Sequence, residues 1–257
     1  MEPAYVGIDL ACAKRKALPI SVCVSRGGKL TPLPLREAAL RPPRGAGNVL
    51  ALEEGWRRDF AAQTEGYLRE VEKVFSVRVE RIALDAPSAP CQVDIPRRYA
   101  EQALDNRRIS CFTTPSREQF EAIEEKARAH LAAGGQENRL PHANQIWMLV
   151  GFALFGHLSY TWPCLEVYPQ ATVALLSVGA RHKSSQTGLS DQTRAVGQRL
   201  GWNETEFERA LRLSGFGASH DQFDAYLAAW VASLDEADRE PLGVPPGDVI
   251  WVPRLNA

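Results

Sequence analysis

The sequence lacks an excess of charge of either sign. Its 257 residues include 30 lysines and arginines against 31 aspartates and glutamates, for a formal net charge of -1. No global electrostatic field therefore draws the protein towards nucleic acid or an anionic membrane surface. Binding to a polyanion would require a local basic patch or metal ions, and the balance favours short or structured nucleic acids over long duplexes.

The sequence also lacks paired cysteines and a long apolar run. The number of cysteines is odd, at five, and no two have C-x-x-C spacing, which predicts reduced, mostly buried thiols of a cytoplasmic protein. The first strand is predicted from residue 4, so we expect no secretory signal before it. The most apolar stretch, residues 146 to 162, is short for a membrane span and is interrupted by Gly151, Gly156 and His157. We expect a soluble protein with no membrane partner.

No internal repeat or low-complexity tract is found, and the pattern of short apolar runs predicts one domain over residues 1 to 257. Strands are predicted at residues 4 to 10, 18 to 25, 30 to 35, 79 to 85, 164 to 167 and 248 to 253. Helices are predicted at residues 53 to 75, 97 to 106, 116 to 133, 144 to 160, 169 to 178, 189 to 200, 204 to 212 and 220 to 235. Residues 36 to 52 are predicted to form a loop.

This order of elements predicts an α/β fold, in which a mixed sheet is flanked by helices. The helices between residues 97 and 160 form a helical insertion after the fourth strand. Core packing is the expected use of Trp147, Phe152 and Phe155 in this insertion, and a partner surface is the alternative.

Two strands are predicted to end on an aspartate. Asp9 follows the apolar residues of VGID, and Asp85 follows those of RIALD, where Ala-Pro then stops the strand. A turn or helix cap is the alternative use of a lone aspartate. Sites in such sheets form at the carboxyl ends of parallel strands. If the first and fourth strands are neighbours, these two carboxylates lie side by side.

Three further acids and a histidine are candidates. Glu166 lies in the short strand of CLEVYP, and Asp221 and Asp224 share one face of the predicted helix SHDQFDAYLAAWVASL because they are three residues apart. Asp224 continues the apolar stripe of that helix and so faces the protein. Each has a structural alternative: Glu166 could pair with an arginine, Asp221 could serve the helix dipole, and His220 could cap the helix.

Several carboxylates at one sheet edge repel each other unless cations neutralise them. Carboxylate oxygens with few histidines suit Mg²⁺ or Mn²⁺ rather than zinc. Two such ions about 4 Å apart can promote phosphodiester hydrolysis.

The ordered set VGIDLA, LDAPSAP, RRYAEQAL, LEVYPQATVALL, HDQFDAYLAAW and IWVP resembles the domain-of-unknown-function family 429, described as predicted nucleases with an RNase H fold. The resemblance implies an RNase H-like core and a divalent-metal site at Asp9, Asp85 and Asp224. It implies that Asp221 lies where related resolvases carry a second acid, so Asp221 is a further candidate metal ligand. The spacing does not decide whether Asp221 or Glu166 is the fourth ligand. It matches Glu166 to the glutamate of the family's E-V-Y-P motif.

The same resemblance matches Arg98 and Glu101 to an Arg-x-x-acid element in which the family often has aspartate. Arg97 extends a basic segment close in sequence to Asp85, which could hold phosphates. Lys183 and His220 are further candidates for contact with substrate.

The sequence therefore predicts a nuclease that depends on Mg²⁺ or Mn²⁺ and acts on nucleic acid, with Asp9, Asp85, Glu166 and Asp224 as catalytic residues. Two alternatives stay open. One is a non-catalytic binding module that keeps the fold. The other is a phosphotransferase of the actin-like fold, although neither ALDAPSAP nor CLEVYP offers a glycine-rich turn for phosphates.

Overall fold

The computed structural model describes residues 1–11, 13–176 and 186–254. A five-stranded sheet is built from β1 (Glu2–Asp9), β2 (Ile20–Arg26), β3 (Lys29–Pro32), β4 (Val77–Asp85) and β5 (Cys164–Glu166), in the order β3-β2-β1-β4-β5. β1 is antiparallel to β2 and parallel to β4, and β4 is parallel to β5. The first and fourth strands are neighbours, as predicted.

The turn between β2 and β3 follows from two consecutive glycines. Gly27 and Gly28 have φ values of 58° and 75°, the left-handed conformation that a two-residue hairpin requires and that glycine adopts readily. β3 pairs only with β2 in the sheet, so the prolines in and after β3 lie on an edge strand, where the lack of an N–H donor is tolerated.

Nine α-helices and a short 3-10 helix (Glu137–Arg139) lie among the described residues. The α-helices are α1 (Asn48–Ala51), α2 (Glu54–Phe75), α3 (Tyr99–Asn106), α4 (Arg117–Ala132), α5 (Ala143–Leu158), α6 (Pro169–Leu176), α7 (Gln186–Arg199), α8 (Glu204–Ser214) and α9 (Ser219–Ser233). Eight match the predicted helices to within a few residues. The exception is α1, which lies in the segment predicted as a loop.

Side-chain alternation along β1 and β4 assigns the two faces of the sheet. Val6 and Ile8 of β1 join a core with Leu84 of β4, and α2 and α5 cover this face. Tyr5 and Ala83 point the other way, into the clusters covered by α9. At the carboxyl ends of β1 and β4, side chains at even-numbered positions therefore face α5, and side chains at odd-numbered positions face α9.

A second, two-stranded sheet was only half predicted. β7 (Asp248–Pro253) was expected, but it pairs antiparallel with β6 (Arg239–Val244), which the sequence analysis missed. The residues PPG between them are the kind of turn that joins two short strands, and this signal could have identified the hairpin. α3 packs against it through Ala100, Leu104 and Leu242.

The five-stranded mixed sheet flanked by helices confirms the predicted α/β class and is consistent with an RNase H-like fold. The extent of the insertion over residues 97 to 160 stays a prediction. Phe152 of this segment packs edge-on against Phe120, with ring centroids 5.3 Å apart, and Phe155 is buried. Both rings therefore serve the core, the use expected from the sequence.

Candidate metal centre

The carboxylates of Asp9 and Asp85 lie at the ends of the two central parallel strands. The two residues are direct partners in the register of β1 and β4. Asp9 lies four residues after Tyr5 and Asp85 lies two residues after Ala83. Because side chains alternate along a strand, both aspartates lie on the face that α9 covers. Because parallel strands end at the same sheet edge, their carboxylates are brought side by side.

Asp224, from the first turns of α9, completes a group of three. Oxygen atoms of Asp9, Asp85 and Asp224 all lie within 4.8 Å of one another. Asp224 is buried, and the other two are partly exposed. Three carboxylates at this separation repel each other strongly in a partly buried site, and a divalent cation bound between them would relieve that repulsion. We call these three residues the acidic triad.

Gly7 allows α9 to approach the sheet closely enough to form the acidic triad. A Cβ atom on Gly7 would overlap with the carbonyl oxygen of Ala225 and the amide nitrogen of Ala229, and would lie 2.9 Å from the Cβ of Ala228. The small residues of α9 therefore rest almost directly on the backbone of β1. Since Ala225 follows Asp224 in the chain, this contact sets the position of the third carboxylate.

Glu166 lies outside the acidic triad and forms a buried ion pair. Its Oε1 accepts from Arg98 Nη1 at 2.7 Å, and its Oε2 accepts from Arg98 Nη2 at 2.8 Å and from Ser88 N at 2.7 Å. The Arg98 Nε donates to Asp248 Oδ1 at 3.0 Å. Arg98 is 3 % exposed and Glu166 6 %. The arginine pairing that was one alternative for Glu166 is thus present.

The alternation of side chains along β4 and β5 explains why Glu166 is separated from the acidic triad. In the register of β4 and β5, Glu166 is the partner of Leu84, which faces the core beneath α5. Asp85 is one residue further along β4 and faces the opposite way. Glu166 instead holds the amide of Ser88, so it fixes the loop that begins at Asp85. It is placed to position that loop, and its role as a catalytic residue stays a prediction.

The charge state of Arg98 is secured by its two partners. Burial alone would lower the pKa of the guanidinium, but Glu166 and then Asp248 outweigh that effect and raise it. Asp248 also accepts from Tyr99 N at 2.6 Å, at the first residue of α3. No local pattern in the sequence identified Asp248, because its partner Arg98 is 150 residues away.

Glu166→Ala should destabilise the protein by about 3 to 5 kcal/mol, the usual cost of leaving a buried charge without its partner. The measurement is urea unfolding, with Glu124→Ala as the control, because Glu124 forms an i,i+4 pair with the half-exposed Arg128. The control should lose less than about 1 kcal/mol. If the Glu166→Ala protein kept its stability but lost divalent-metal binding, Glu166 would be a metal ligand and not a residue that stabilises the fold.

Asp221 is held away from the acidic triad by other partners. Lys16 Nζ lies 2.7 Å from its Oδ2, which also accepts from Ala218 N at 3.0 Å, and His220 Nε2 lies 3.1 Å from its Oδ1. Asp221 thus caps the start of α9, where a negative charge is favourable. The His220 side chain is half-exposed, at 52 %. Their proposed roles in metal and substrate binding stay predictions.

Arg97 and Arg98 of the predicted basic segment form ion pairs and hydrogen bonds within the protein. Arg97 Nη1 lies 3.1 Å from Asp105, and its Nη2 donates to the Cys111 carbonyl at 3.1 Å. Glu101 is 2 % exposed, and burial raises the pKa of its carboxyl group. Arg98 and Arg97 therefore do not present free guanidinium groups to a phosphate, and the contact of Arg97, Arg98 and Glu101 with substrate stays a prediction. Lys183 lies outside the described residues.

A pocket opens beside the acidic triad, and no pattern in the sequence predicted it. Asp85 forms part of its wall, together with residues contributed by α3, α5, β5 and the loops that follow the strands, among them Glu101, Phe112, Trp147 and Tyr168. β5 ends at Glu166, and Val167 then forms an isolated β-bridge with Trp251. Tyr168 follows directly after Val167. Burial, with the negative charge of Asp85, raises the pKa of the Tyr168 hydroxyl to about 12, so it is a hydrogen-bond donor at neutral pH.

The fold and this centre define a mixed α/β protein with an acidic triad at the carboxyl ends of two parallel strands. A model of the family described as "Protein of unknown function (DUF429)" matches residues 43–247, and the chain belongs to that family. The match includes Asp85 and Asp224 and begins after Asp9. No curated protein matches the chain. No solved structure matches it either.

The remaining sequence predictions concern compartment and cysteines. None of the helices in the described ranges is long and apolar enough to cross a membrane. Four cysteines (Cys23, Cys91, Cys111 and Cys164) are free thiols, and Cys12 lies outside the described residues. Burial raises the pKa of Cys23 to about 12 and that of Cys164 to about 11, so these two thiols are poor nucleophiles.

Proposed function

We propose that the protein is a nuclease that hydrolyses phosphodiester bonds at the acidic triad with the help of Mg²⁺ or Mn²⁺. The observation that carries the proposal is the convergence of carboxylate oxygens from Asp9, Asp85 and Asp224 within 4.8 Å of one another. Family membership supplies no reaction, since the family is described as one of unknown function.

The donor set fits these ions. It consists of carboxylate oxygens only, which are the ligands of Mg²⁺ and Mn²⁺, whereas a structural zinc site would need cysteine or histidine. Asp9, Asp85 and Asp224 would hold the metal. When bound, it supplies Lewis acidity to a phosphoryl oxygen, which is the chemistry that hydrolysis of a phosphodiester requires.

The other residues near the centre support this use by position. Asp9 and Asp85 are partly exposed, so a phosphate can approach the acidic triad from solvent. Glu166 accepts a hydrogen bond from the Ser88 amide and another from Arg98, which holds the glutamate in place. This pair therefore fixes the loop that follows Asp85. Rigid placement of the carboxylates from two strands and one helix favours productive geometry, because little reorganisation is needed on binding.

The test combines calorimetric titration of the wild-type protein with a cleavage assay. Labelled single-stranded, duplex and branched DNA and RNA are incubated with Mg²⁺, Mn²⁺ or EDTA. We expect binding of both metals, cleavage of at least one substrate with metal, and loss of cleavage in EDTA that excess metal reverses. Metal binding without cleavage of any substrate would favour the binding module. Absence of metal binding would overturn the proposed site.

A further inference from the structure

One stretch of the chain is strongly basic, although the protein as a whole is nearly neutral. Residues 10 to 52 contain eight lysines and arginines and a single acid, Glu37. Because the net charge of the whole chain is -1, the remaining residues are acidic on balance. A local concentration of cations can attract a polyanion where the net charge does not. The place of this stretch in the fold decides whether such a polyanion could reach the acidic triad.

The strand directions separate these cations into two groups. β1 ends at Asp9, β2 starts at that edge of the sheet and runs away from it, and β3 returns towards it. Arg26 and Lys29 flank the β2–β3 turn and so lie at the opposite edge, where Arg26 pairs with Glu2 at 2.9 Å. The other six lie in the loops before β2 and after β3. Five of them are exposed and form what we call the basic surface: Lys14, Arg15, Arg36, Arg41 and Arg44.

Backbone hydrogen bonds hold these two loops together beside the acidic triad. Asp9 N donates to the Pro19 carbonyl at 3.1 Å, and Leu18 N donates to the Pro43 carbonyl at 2.8 Å. Since hydrogen-bonded segments lie about 5 Å apart, the backbone near Arg44 is on the order of 10 Å from Asp9. A nucleic-acid strand that advances about 3.4 Å per nucleotide covers this distance with about three nucleotides. One strand could therefore contact both features.

Arg15 and Arg44 are the cations of the basic surface with the fewest protein contacts. Arg15 N donates to the Gly45 carbonyl at 2.7 Å, so the two side chains leave neighbouring segments. Both side chains are exposed, and neither forms an ion pair in the ranges that the structure describes. Arg15 has a φ of 66°, a left-handed conformation that glycine adopts at lower cost. Their guanidinium groups are therefore available to phosphate oxygens.

Phe216 arranges two further arginines. The guanidinium carbons of Arg41 and Arg36 lie 4.9 and 5.8 Å from the centroid of its ring. Arg36 also donates to the Arg212 carbonyl, and Arg41 to the Leu40 carbonyl, each at 3.1 Å. A guanidinium group held over a ring keeps further N–H donors at its edge. Phe216 thus fixes two cations in place while it leaves them donors for phosphate.

The acids near the basic surface neutralise it only in part. Lys16, the sixth cation at this edge, is bound to Asp221 at 2.7 Å and is therefore engaged. Lys14 lies 3.6 Å from Glu137, but the two side chains are 68 % and 62 % exposed. An exposed pair of this kind contributes little, so a phosphate can replace the glutamate. Glu37 is the one acid within the stretch itself, and it is exposed.

We propose that the basic surface binds the phosphodiester backbone of a nucleic acid on one side of the bond at the acidic triad. Phosphate contacts position a substrate without reading its sequence. The cations available for this lie between residues 14 and 44, whereas the guanidinium groups of Arg97 and Arg98 are paired within the protein. This inference deepens the proposed function and rests on it for the identity of the polyanion.

The test measures binding in EDTA, where no metal-dependent cleavage occurs. Fluorescence anisotropy is recorded for labelled DNA and RNA, each as a single strand and as a duplex of equal length. The logarithm of the binding constant should fall with the logarithm of the salt concentration, by about 0.9 per contacted phosphate for a duplex and about 0.7 for a single strand. The slope therefore counts phosphate contacts.

The double variant Arg15→Gly/Arg44→Gln removes two contacts. Its salt slope should be shallower by about 1.4 to 1.8, and its affinity at about 0.1 M salt should be lower by about 20- to 60-fold. Glycine suits the φ of 66° at position 15, so the variant should fold, and thermal melting checks this. Arg26→Gln is the matched control, because it removes an arginine of the same stretch at the opposite edge of the sheet. Salt screens a charge so distant, so the control should bind as the wild-type protein does.

The outcomes separate this inference from the proposed function. An unchanged slope and affinity in the double variant, or an equal loss in Arg26→Gln and Arg44→Gln, would overturn the basic surface. Metal-dependent cleavage together with such a result would leave the nuclease intact. The expected loss of binding, with no cleavage of any substrate by the wild-type protein, would support the basic surface and overturn the nuclease. Binding to phosphatidylserine vesicles but to no nucleic acid would assign the surface to a membrane and contradict the inference.

Discussion

Asp224→Asn is expected to reduce metal-dependent cleavage by at least about 100-fold and to abolish the thermal stabilisation that Mn²⁺ gives the wild-type protein. Metal assistance to a transferring phosphoryl group contributes several kcal/mol, and about 1.4 kcal/mol is tenfold in rate. Asparagine keeps the shape of the side chain but removes one of three charges that lie within 4.8 Å. Cleavage rates and melting temperatures, with and without Mn²⁺, measure both effects.

The melting temperature without metal shows whether Asp224→Asn removes only a metal ligand or also destabilises the fold. Because the substitution removes like-charge repulsion from the acidic triad, Asp224→Asn should melt no lower than the wild-type protein in EDTA. The stabilisation by metal should vanish, whereas a wild-type protein with metal at 100 times its dissociation constant gains about 2.7 kcal/mol. A variant that still cleaves at the wild-type rate would contradict the proposed site.

Asp221→Asn is the matched control, one turn earlier on the same helix. Its carboxylate is bound by Lys16 and by the Ala218 amide, so the cost of the substitution is that of a weakened helix cap, about 1 kcal/mol. Cleavage and metal stabilisation should remain. If Asp221→Asn lost metal binding as fully as Asp224→Asn, the second acid implied by the family resemblance would be a ligand after all.

The acidic triad could be anticipated from the sequence because each of its parts has a short-range signal. Asp9 and Asp85 each end an apolar run, and parallel neighbours bring their carboxyl ends to one edge. Asp224 continues the apolar stripe of α9, which placed it on the buried side. What the sequence left open was how near the helix lies to the sheet, and that distance depends on Gly7 in another element.

The face of the sheet on which Glu166 lies could not be predicted from the sequence. Its position in a strand near the predicted site suggested a fourth acid, but the choice of face depends on the register between β4 and β5, and a shift by one residue reverses it. Its partner Arg98 is 68 residues earlier, and Asp248 joins from the opposite end of the chain. Pairings over such separations leave no pattern in local spacing.

The pocket beside the acidic triad could not be predicted from the sequence for a similar reason. Phe112 lies in a loop, Trp147 on α5 and Tyr168 just after β5, so no window of sequence contains two of its rings. The sequence predicted core packing for Trp147, and its ring does pack partly against the core while it lines the pocket. Sites formed by residues from several loops become visible only when the strands that carry those loops are paired.

Gly7→Ala is expected to destabilise the protein by more than about 3 kcal/mol and to disrupt the acidic triad. The added methyl group would overlap with backbone atoms of Ala225 and Ala229, and neither backbone can yield by rotating a side chain. Overpacking usually costs about 1 to 3 kcal/mol when side chains can adjust, so a clash between two backbones lies at or above that range. Urea unfolding measures the loss.

The activity of any folded Gly7→Ala protein is the more informative result. If α9 moves outwards to admit the methyl group, Asp224 moves with it, and metal binding should weaken even under conditions where most molecules remain folded. Gly66→Ala is the control: the same methyl group on α2 meets nothing within 4 Å, and it should stabilise the helix by about 0.5 to 1 kcal/mol. Wild-type metal affinity in a destabilised Gly7→Ala protein would mean that the close contact between α9 and β1 serves stability alone, and that the third carboxylate is placed by other contacts of the helix.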